Sequence, residues 1–257
     1  MDGGYVGDCG NSYPRSPWYP MLILPPLRLP QFSFRLSAVQ TMPISLELYA
    51  DLVCPWCWIG DRRLFTALEQ VRNAHPEETF EVTWRPFQLD PTMPAEGRDF
   101  DTFVSEKFGG RAAAAPMFAR VTEAGAPDGI PFHFERITRF PNTVRGHALV
   151  LHAQQSGRDP WPLVEALFAA HFEHGEDTGD VETLARIATA HGFTDADARD
   201  VLTNGRYDVD VQQSQKEAAR LGIQGVPFVV LDGRYGVSGA QPLHVFVEAL
   251  TRVAADK

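Results

Sequence analysis

Hydrophobic and polar positions change period several times along the chain, and each change marks an element. Ile44 to Ala50 is a short, mostly apolar run of strand length. Past Pro55 the period lengthens. Leu64, Leu68 and Val71 recur at helical spacing, Asp61, Arg62, Arg63 and Glu69 fall off that stripe, and the pattern stops near His75-Pro76. Phe80, Val82 and Trp84 then alternate with Glu81, Thr83 and Arg85, the period-two mark of a half-buried strand, closed by Arg85-Pro86-Phe87-Gln88-Leu89. Strand, helix, strand in this order predicts a parallel β-α-β unit.

Between about Phe100 and Leu202 only helical patterns recur. Segments 101–108, 112–124, 143–155 and 161–172 read as helices, broken by Gly109-Gly110, by the stretch from Gly125 to Gly129 and by Ser156-Gly157. Asp180 is placed to cap a helix over 181–191, with Leu184, Ile187 and Ala188 inward and Gly192 as its stop. Thr194 and Asp197 have capping-box spacing for the next helix. No strand pattern occurs in this block. Mixed structure then returns: a helix over 207–221 ending at Gly222, an apolar strand over 227–231, a turn at Asp232-Gly233 and a paired strand over 235–238. Pro242 opens a last helix with Leu243, Phe246, Leu250 and Val253 on one face. This is the order of an α/β chain with a thioredoxin fold and an inserted all-helical domain. Residues 42–98 and 203–257 would form the thioredoxin-like domain, and 99–202 the insertion.

Composition narrows the reading. With 257 residues and 44% hydrophobic side chains the chain can bury a substantial core. Its net charge of −10 argues against nucleic acid or an anionic membrane as partner. No apolar stretch is long enough to span a bilayer. Residues 1–41 hold Pro14, Pro17, Pro20, Pro25, Pro26 and Pro30 without helical or alternating pattern, and are expected to be a disordered extension. Met42 would make a natural start. Met21-Leu22-Ile23-Leu24 is too short for a signal-peptide core and follows an acidic start, so a cytoplasmic setting is expected.

The candidate chemistry sits where the first strand meets the first helix, at Cys54-Pro55-Trp56-Cys57. Cys54 falls where the first helical N–H groups lack partners, a field that favours its thiolate. Cys57 lies about one turn on, near enough to close a disulfide with it. Pro55 presets the first helical turn. A zinc site needs about four ligands, and the one other cysteine, Cys9, lies far upstream, so dithiol redox chemistry is the better reading.

From Met42 onward the chain resembles the DsbA-like thiol oxidoreductases, and within them the FrnE-type branch. The likeness rests on the run from Asp51 to Gly60, on Arg85-Pro86-Phe87-Gln88-Leu89, on Asn142-Thr143 with His147, and on Phe172 to Asp177. Gly225-Val226-Pro227-Phe228-Val229 and Ser238-Gly239-Ala240-Gln241-Pro242 complete it. The resemblance implies that Cys54 attacks, Cys57 resolves, and Val226-Pro227 is a cis peptide facing the dithiol, which makes Cys54, Cys57 and Pro227 the expected catalytic residues. Pro55, Trp56 and Val226 are the expected substrate-facing residues. Asn142 and His147 are candidates for the same cleft, with capping and packing as equal alternatives. Asp51 either tunes Cys54 or ends the strand, and Trp56 and Trp58 serve substrate or core. His171 and His174 read as a solvated helix face, not a metal site.

The function expected is a protein disulfide oxidoreductase or isomerase acting on disulfide-containing proteins or small thiols. It needs no cofactor beyond the Cys54–Cys57 disulfide and uses glutathione at most as a co-substrate. A glutathione-dependent isomerase or transferase of the hydroxychromene-carboxylate or kappa-class type is the alternative. Those enzymes typically carry serine in place of the first cysteine, which weighs against it. A chaperone-like binding protein would leave the cysteine pair unexplained. Trp56 stands where DsbA has a charged histidine, so a potential between about −180 and −240 mV is expected. No pattern in the chain specifies an oligomeric state.

Overall fold

The computed structural model describes residues 42–256, and the extension expected over 1–41 lies outside them. Strand β1 (Ile44–Ala50) is the central strand, with Ile44, Leu46, Leu48, Tyr49 and Ala50 all buried. It leads into α1 (Pro55–Ala74), which returns the chain to β2 (Phe80–Pro86). The two strands pair in parallel from Ile44↔Phe80 to Ala50↔Pro86, the β-α-β unit that the alternating pattern predicts.

The insertion begins with β3 (Arg98–Asp99), α2 (Phe100–Phe108) and α3 (Arg111–Gly125). Two short 3₁₀ turns, Ala126–Asp128 and Phe134–Arg136, lead to β4 (Arg139–Phe140). Then come α4 (Val144–Gln155), α5 (Trp161–Phe172), α6 (Val181–Ala190) and α7 (Asp195–Thr203). The block is not free of strands as its sequence pattern suggests, because β3 and β4 pair antiparallel through Arg98↔Phe140 and Asp99↔Arg139. Two residues per strand are too few to show an alternation, so periodicity carries no trace of them. The caps are where the sequence puts them. The Asp180 carboxylate accepts from the Thr183 N–H at 2.9 Å, and the Thr194 hydroxyl from the Asp197 N–H at 3.1 Å.

Helix α8 (Asp208–Arg220) re-enters the first domain, followed by β5 (Phe228–Leu231), β6 (Tyr235–Ser238) and α9 (Leu243–Ala255). The sheet order is β2-β1-β5-β6, with β5 antiparallel to both neighbours. Asp232 and Gly233 turn the hairpin at φ of 52° and 64°, a left-handed pair of the kind Asp-Gly favours. Helix α9 packs along α1, while α4 and α8 pack on β2. The result is a thioredoxin fold carrying a helical insertion.

The insertion is fixed to the start of α1 by aromatic packing. Trp58, fully buried, stacks on Phe168 and Phe172 of α5 at 6.0 and 6.1 Å and meets Phe132 edge-on at 5.5 Å. Its indole N–H donates to Glu165 at 2.9 Å, and Arg62 pairs with the same carboxylate. Aromatic pairs of this kind add about 0.5–1.5 kcal/mol each beyond their buried area. The first turn of α1 is therefore held on both the sheet side and the insertion side.

Candidate active site

Cys54 is the N-cap residue of α1, extended at φ −95° and ψ 110°, with Pro55 in the first helical position. The Cys54 N–H bonds the Asp51 carbonyl at 3.0 Å, closing the turn between β1 and α1, and the Cys54 carbonyl takes the Cys57 N–H at 2.9 Å. Both cysteines are free thiols. Cys54 is 4% exposed and Cys57 fully buried, so the first cysteine is less open than a helix start alone suggests. Burial pushes the Cys57 thiol well above its ordinary pKa, and a hydrogen bond with Cys54 adds to the effect. The two thiols are thus within hydrogen-bonding reach, and Cys57 keeps its proton at neutral pH.

The Cys54 thiol points at the Val226 carbonyl, 3.6 Å away. The Val226–Pro227 peptide is cis. Pro227 packs on α1 at Gly60, where a β-carbon would stand 2.7 Å from the proline Cγ. The Pro227 carbonyl is held in turn by the Gly239 N–H at 2.8 Å. Gly60 is required here for close approach: only a residue without a side chain lets the helix and the proline meet.

Beneath the cysteines lies a buried polar chain. One oxygen of Asp51 (1% exposed) accepts the Leu89 N–H at 2.7 Å. The other faces His147 Nε2 at 3.4 Å without the alignment of a hydrogen bond, and both atoms lack a partner. His147 Nδ1 accepts the Trp84 indole N–H at 3.2 Å. His147 is therefore fully enclosed behind β2 and does not reach a substrate cleft. Asn142 does not either. Its carboxamide bonds the Met93 carbonyl at 2.6 Å and the Val144 N–H at 3.0 Å, where α4 starts. For these two residues the structure gives packing and capping, and their expected place on the substrate gives way because their polar atoms are spent inside the protein.

The cleft that does meet the dithiol is a cavity of about 300 Å³ between the motif and the insertion. Cys54, Pro55 and Trp56 line it at the start of α1, and Val226 from the segment before β5. Pro227 sits outside the lining. A larger cleft of about 520 Å³ opens between β2 and α8, and no cysteine lines it. The rest of the small cavity is mostly apolar, rich in phenylalanines from α2, α3 and the β4 region, with Asp90 and Lys107 as its charged lining residues and His171 and Phe172 from α5.

Two polar residues depart from their sequence reading. His171 is buried, not on a solvated face. Helix α5 carries Leu163, Val164, Leu167, Phe168, Ala170 and Phe172 in contact with the core, and burial holds the imidazole down to a pKa of about 4. Its charged neighbours Glu173 and Glu176 lie past the helix end and mislead the eye. Asp61, off the apolar stripe of α1, is 6% exposed because α5 covers that flank. Desolvation, and then the nearby Glu165 charge, push it up to about 8. The only hint in the sequence is that α5 is apolar nearly all round, which implies a partner on every side.

The family described as the DSBA-like thioredoxin domain matches residues 45–251. The solved structure of the probable DsbA oxidoreductase SCO1869 from Streptomyces coelicolor is 31% identical and superposes with a TM-score of 0.73, over 83% of this chain and 91% of that one. The uncharacterized protein YwbO of Bacillus subtilis is 23% identical over 211 residues, 82% of this chain and 97% of its own length. The cytosolic disulfide reductase DsbM from Pseudomonas aeruginosa, solved with GSH, shares the fold at 19% identity and a TM-score of 0.57, covering 81% of this chain and 99% of that one.

Proposed function

Because this chain belongs to the family of DSBA-like thioredoxin domains, we propose that it is a thiol–disulfide oxidoreductase working through Cys54 and Cys57 on disulfide-containing proteins or small-molecule disulfides. The observation that carries the reading is the pair of free thiols within hydrogen-bonding reach at the start of α1, only the first of which lines a cavity.

The chemistry follows from that asymmetry. Cys54, as thiolate, attacks one sulfur of the substrate disulfide in line with the S–S bond. A mixed disulfide forms, and the other sulfur leaves as a thiol after taking a proton. Cys57, closed off from solvent and still protonated, cannot compete for the substrate. It becomes the second nucleophile when it gives up its proton and attacks Cys54 Sγ, expelling the remaining substrate thiol. Two electrons have then passed from the dithiol to the substrate, and Cys54–Cys57 is oxidised. Run backwards, the same steps install a disulfide. The Val226 backbone beside Cys54 supplies an edge against which an extended polypeptide substrate can pair.

Glutathione is the small thiol we assign to the return of the dithiol to its reduced form, in a cytoplasmic setting. A fold neighbour named as a cytosolic reductase and solved with GSH supports both assignments. The test is reduction of 2-hydroxyethyl disulfide in a glutathione buffer. The reading requires that Cys54→Ser abolish turnover. It also requires that Cys57→Ser stop at a mixed disulfide. Full turnover in Cys54→Ser would refute it.

A further inference from the structure

The buried chain beneath the cysteines carries a charge that the exchange steps leave unused. The Trp84 indole can only donate, so His147 Nδ1, which takes its N–H at 3.2 Å, bears no proton. The proton of that neutral ring therefore sits on Nε2, which faces Asp51 Oδ1 at 3.4 Å. The other Asp51 oxygen, Oδ2, takes the Leu89 N–H at 2.7 Å. Both oxygens thus face N–H groups. Those are the surroundings of a carboxylate, since a carboxylic acid would need an acceptor for its own proton.

Little offsets this charge. Asp51 and His147 are both buried, and the contact at Oδ1 is misaligned. Among the described residues no lysine or arginine stands within ion-pair distance of Asp51. An ionised group so placed is costly, and its retention asks for a reason beyond tying β1 to the chain after β2. Its position supplies one. The Asp51 carbonyl takes the Cys54 N–H at 3.0 Å, closing a tight turn that keeps the two Cα atoms within about 7 Å. Behind burial and the Cys54 contact, the same charge also helps to hold the proton on Cys57.

We propose that the Asp51 carboxylate opposes negative charge on the Cys54–Cys57 pair and so makes the dithiol a stronger reductant than it would be without that charge. The inference rests on the exchange reading above and adds the sign of its poise. Reduction by glutathione moves two electrons: two glutathione thiols become one glutathione disulfide, and the Cys54–Cys57 bond opens to two thiols. One of these ionises readily at a helix start, and whatever disfavours that thiolate disfavours the reduced state and lowers the potential. Across roughly 7–10 Å, at an effective dielectric of about 20, one unit charge changes thiolate stability by roughly tenfold to fiftyfold. Asp51 touches no substrate and acts only through the cysteines.

The experiment equilibrates wild-type, Asp51→Asn, Asp51→Ser and Asp61→Asn proteins with glutathione buffers at pH 7 and reads the oxidised fraction by mass after alkylation. Asparagine keeps an oxygen for the Leu89 N–H, and serine is smaller, so the charge is removed in two different shapes. Either Asp51 variant should shift the equilibrium about tenfold toward the reduced dithiol, a rise of about 30 mV. Iodoacetamide at pH 6 should modify Cys54 of either variant several-fold faster than in the wild type. Asp61, the buried acid on α1, keeps its proton up to about pH 8, so Asp61→Asn removes no charge at pH 7 and should leave the equilibrium where it was. A merely structural Asp51 would lower the melting temperature of its variants and leave the potential alone. An unchanged or lower potential in whichever Asp51 variant folds, or an equal rise in Asp61→Asn, would overturn the proposal. A wild-type protein in which glutathione buffers never interconvert dithiol and disulfide would refute the exchange reading and this proposal with it.

Discussion

Replacing Gly60 by alanine sets two effects against each other, and the structure says which wins where. Glycine inside α1 costs about 1 kcal/mol relative to alanine, so by helix propensity alone the substitution stabilises. The new methyl, however, would lie 2.7 Å from Pro227 Cγ and 3.2 Å from its Cβ. Carbon atoms pack best at about 3.5–4.0 Å, so helix and proline must separate by roughly 1 Å. Overpacking of this order costs about 1–3 kcal/mol. The two effects leave a net destabilisation of about 0–2 kcal/mol, and the melting temperature should move little. Activity responds differently. The segment that shifts carries Val226, whose carbonyl faces the Cys54 thiol, and a 1 Å misplacement at a reacting centre costs up to about a hundredfold. Single-turnover reduction of 2-hydroxyethyl disulfide, followed by the appearance of oxidised protein, should slow by about tenfold to a hundredfold while thermal melting changes by only a few degrees. A Gly60→Ala protein that is stabilised by the full propensity gain and reacts at the wild-type rate would show that the contact with Pro227 does not position the dithiol.

Other consequences follow from the buried titrating groups and the motif. Asp61 titrates near pH 8 in the folded chain against an ordinary value of 3.8. Between those values the native state holds a proton that the unfolded state has lost, so this group makes stability fall as pH rises. Asp61→Asn should flatten that slope by up to about 1.4 kcal/mol per pH unit in urea titrations at pH 5 to 8, and unchanged slopes would refute the assignment. In the reduced protein iodoacetamide should modify Cys54 near neutral pH and reach Cys57 only at distinctly alkaline pH, because burial holds the second thiol protonated. Peptide mapping showing equal rates would count against it. Trp56 cannot carry a positive charge beside Cys54, so equilibration with glutathione buffers should give a potential between about −180 and −240 mV, and a value near −120 mV would point to an oxidase.

The sequence is most legible where a period is long or a cap is explicit. Helix α5 falls on the predicted 161–172 because its apolar run is bounded by Pro160 and by the charged residues after Phe172, and Asp180 and Thr194 announce the starts of α6 and α7 by their side chains. The dithiol and its facing strand are visible as motifs. What stays hidden depends on contacts between distant segments. Asp61 and His171 look like surface residues in their own helices, and only the docking of α5 onto α1 buries the first, while the all-round burial of α5 encloses the second. His147 and Asn142 carry residue types suited to a site, yet Trp84, Met93 and Val144 take up their hydrogen-bonding atoms. The pairing of β3 with β4 joins residues some forty positions apart through two bridges, below any periodic signal.

The central claim is that the two cysteines have unequal roles, with Cys54 taking the substrate and Cys57 releasing it. It is tested most directly by exposing reduced Cys57→Ser and Cys54→Ser proteins to 2-hydroxyethyl disulfide and mapping the adducts by mass spectrometry. The account predicts a persistent mixed disulfide on Cys54 in the first variant, stable until an external thiol is added, and no adduct on Cys57 in the second over the same time. An adduct on Cys57 in the Cys54→Ser protein, formed as fast as the one on Cys54, would contradict it.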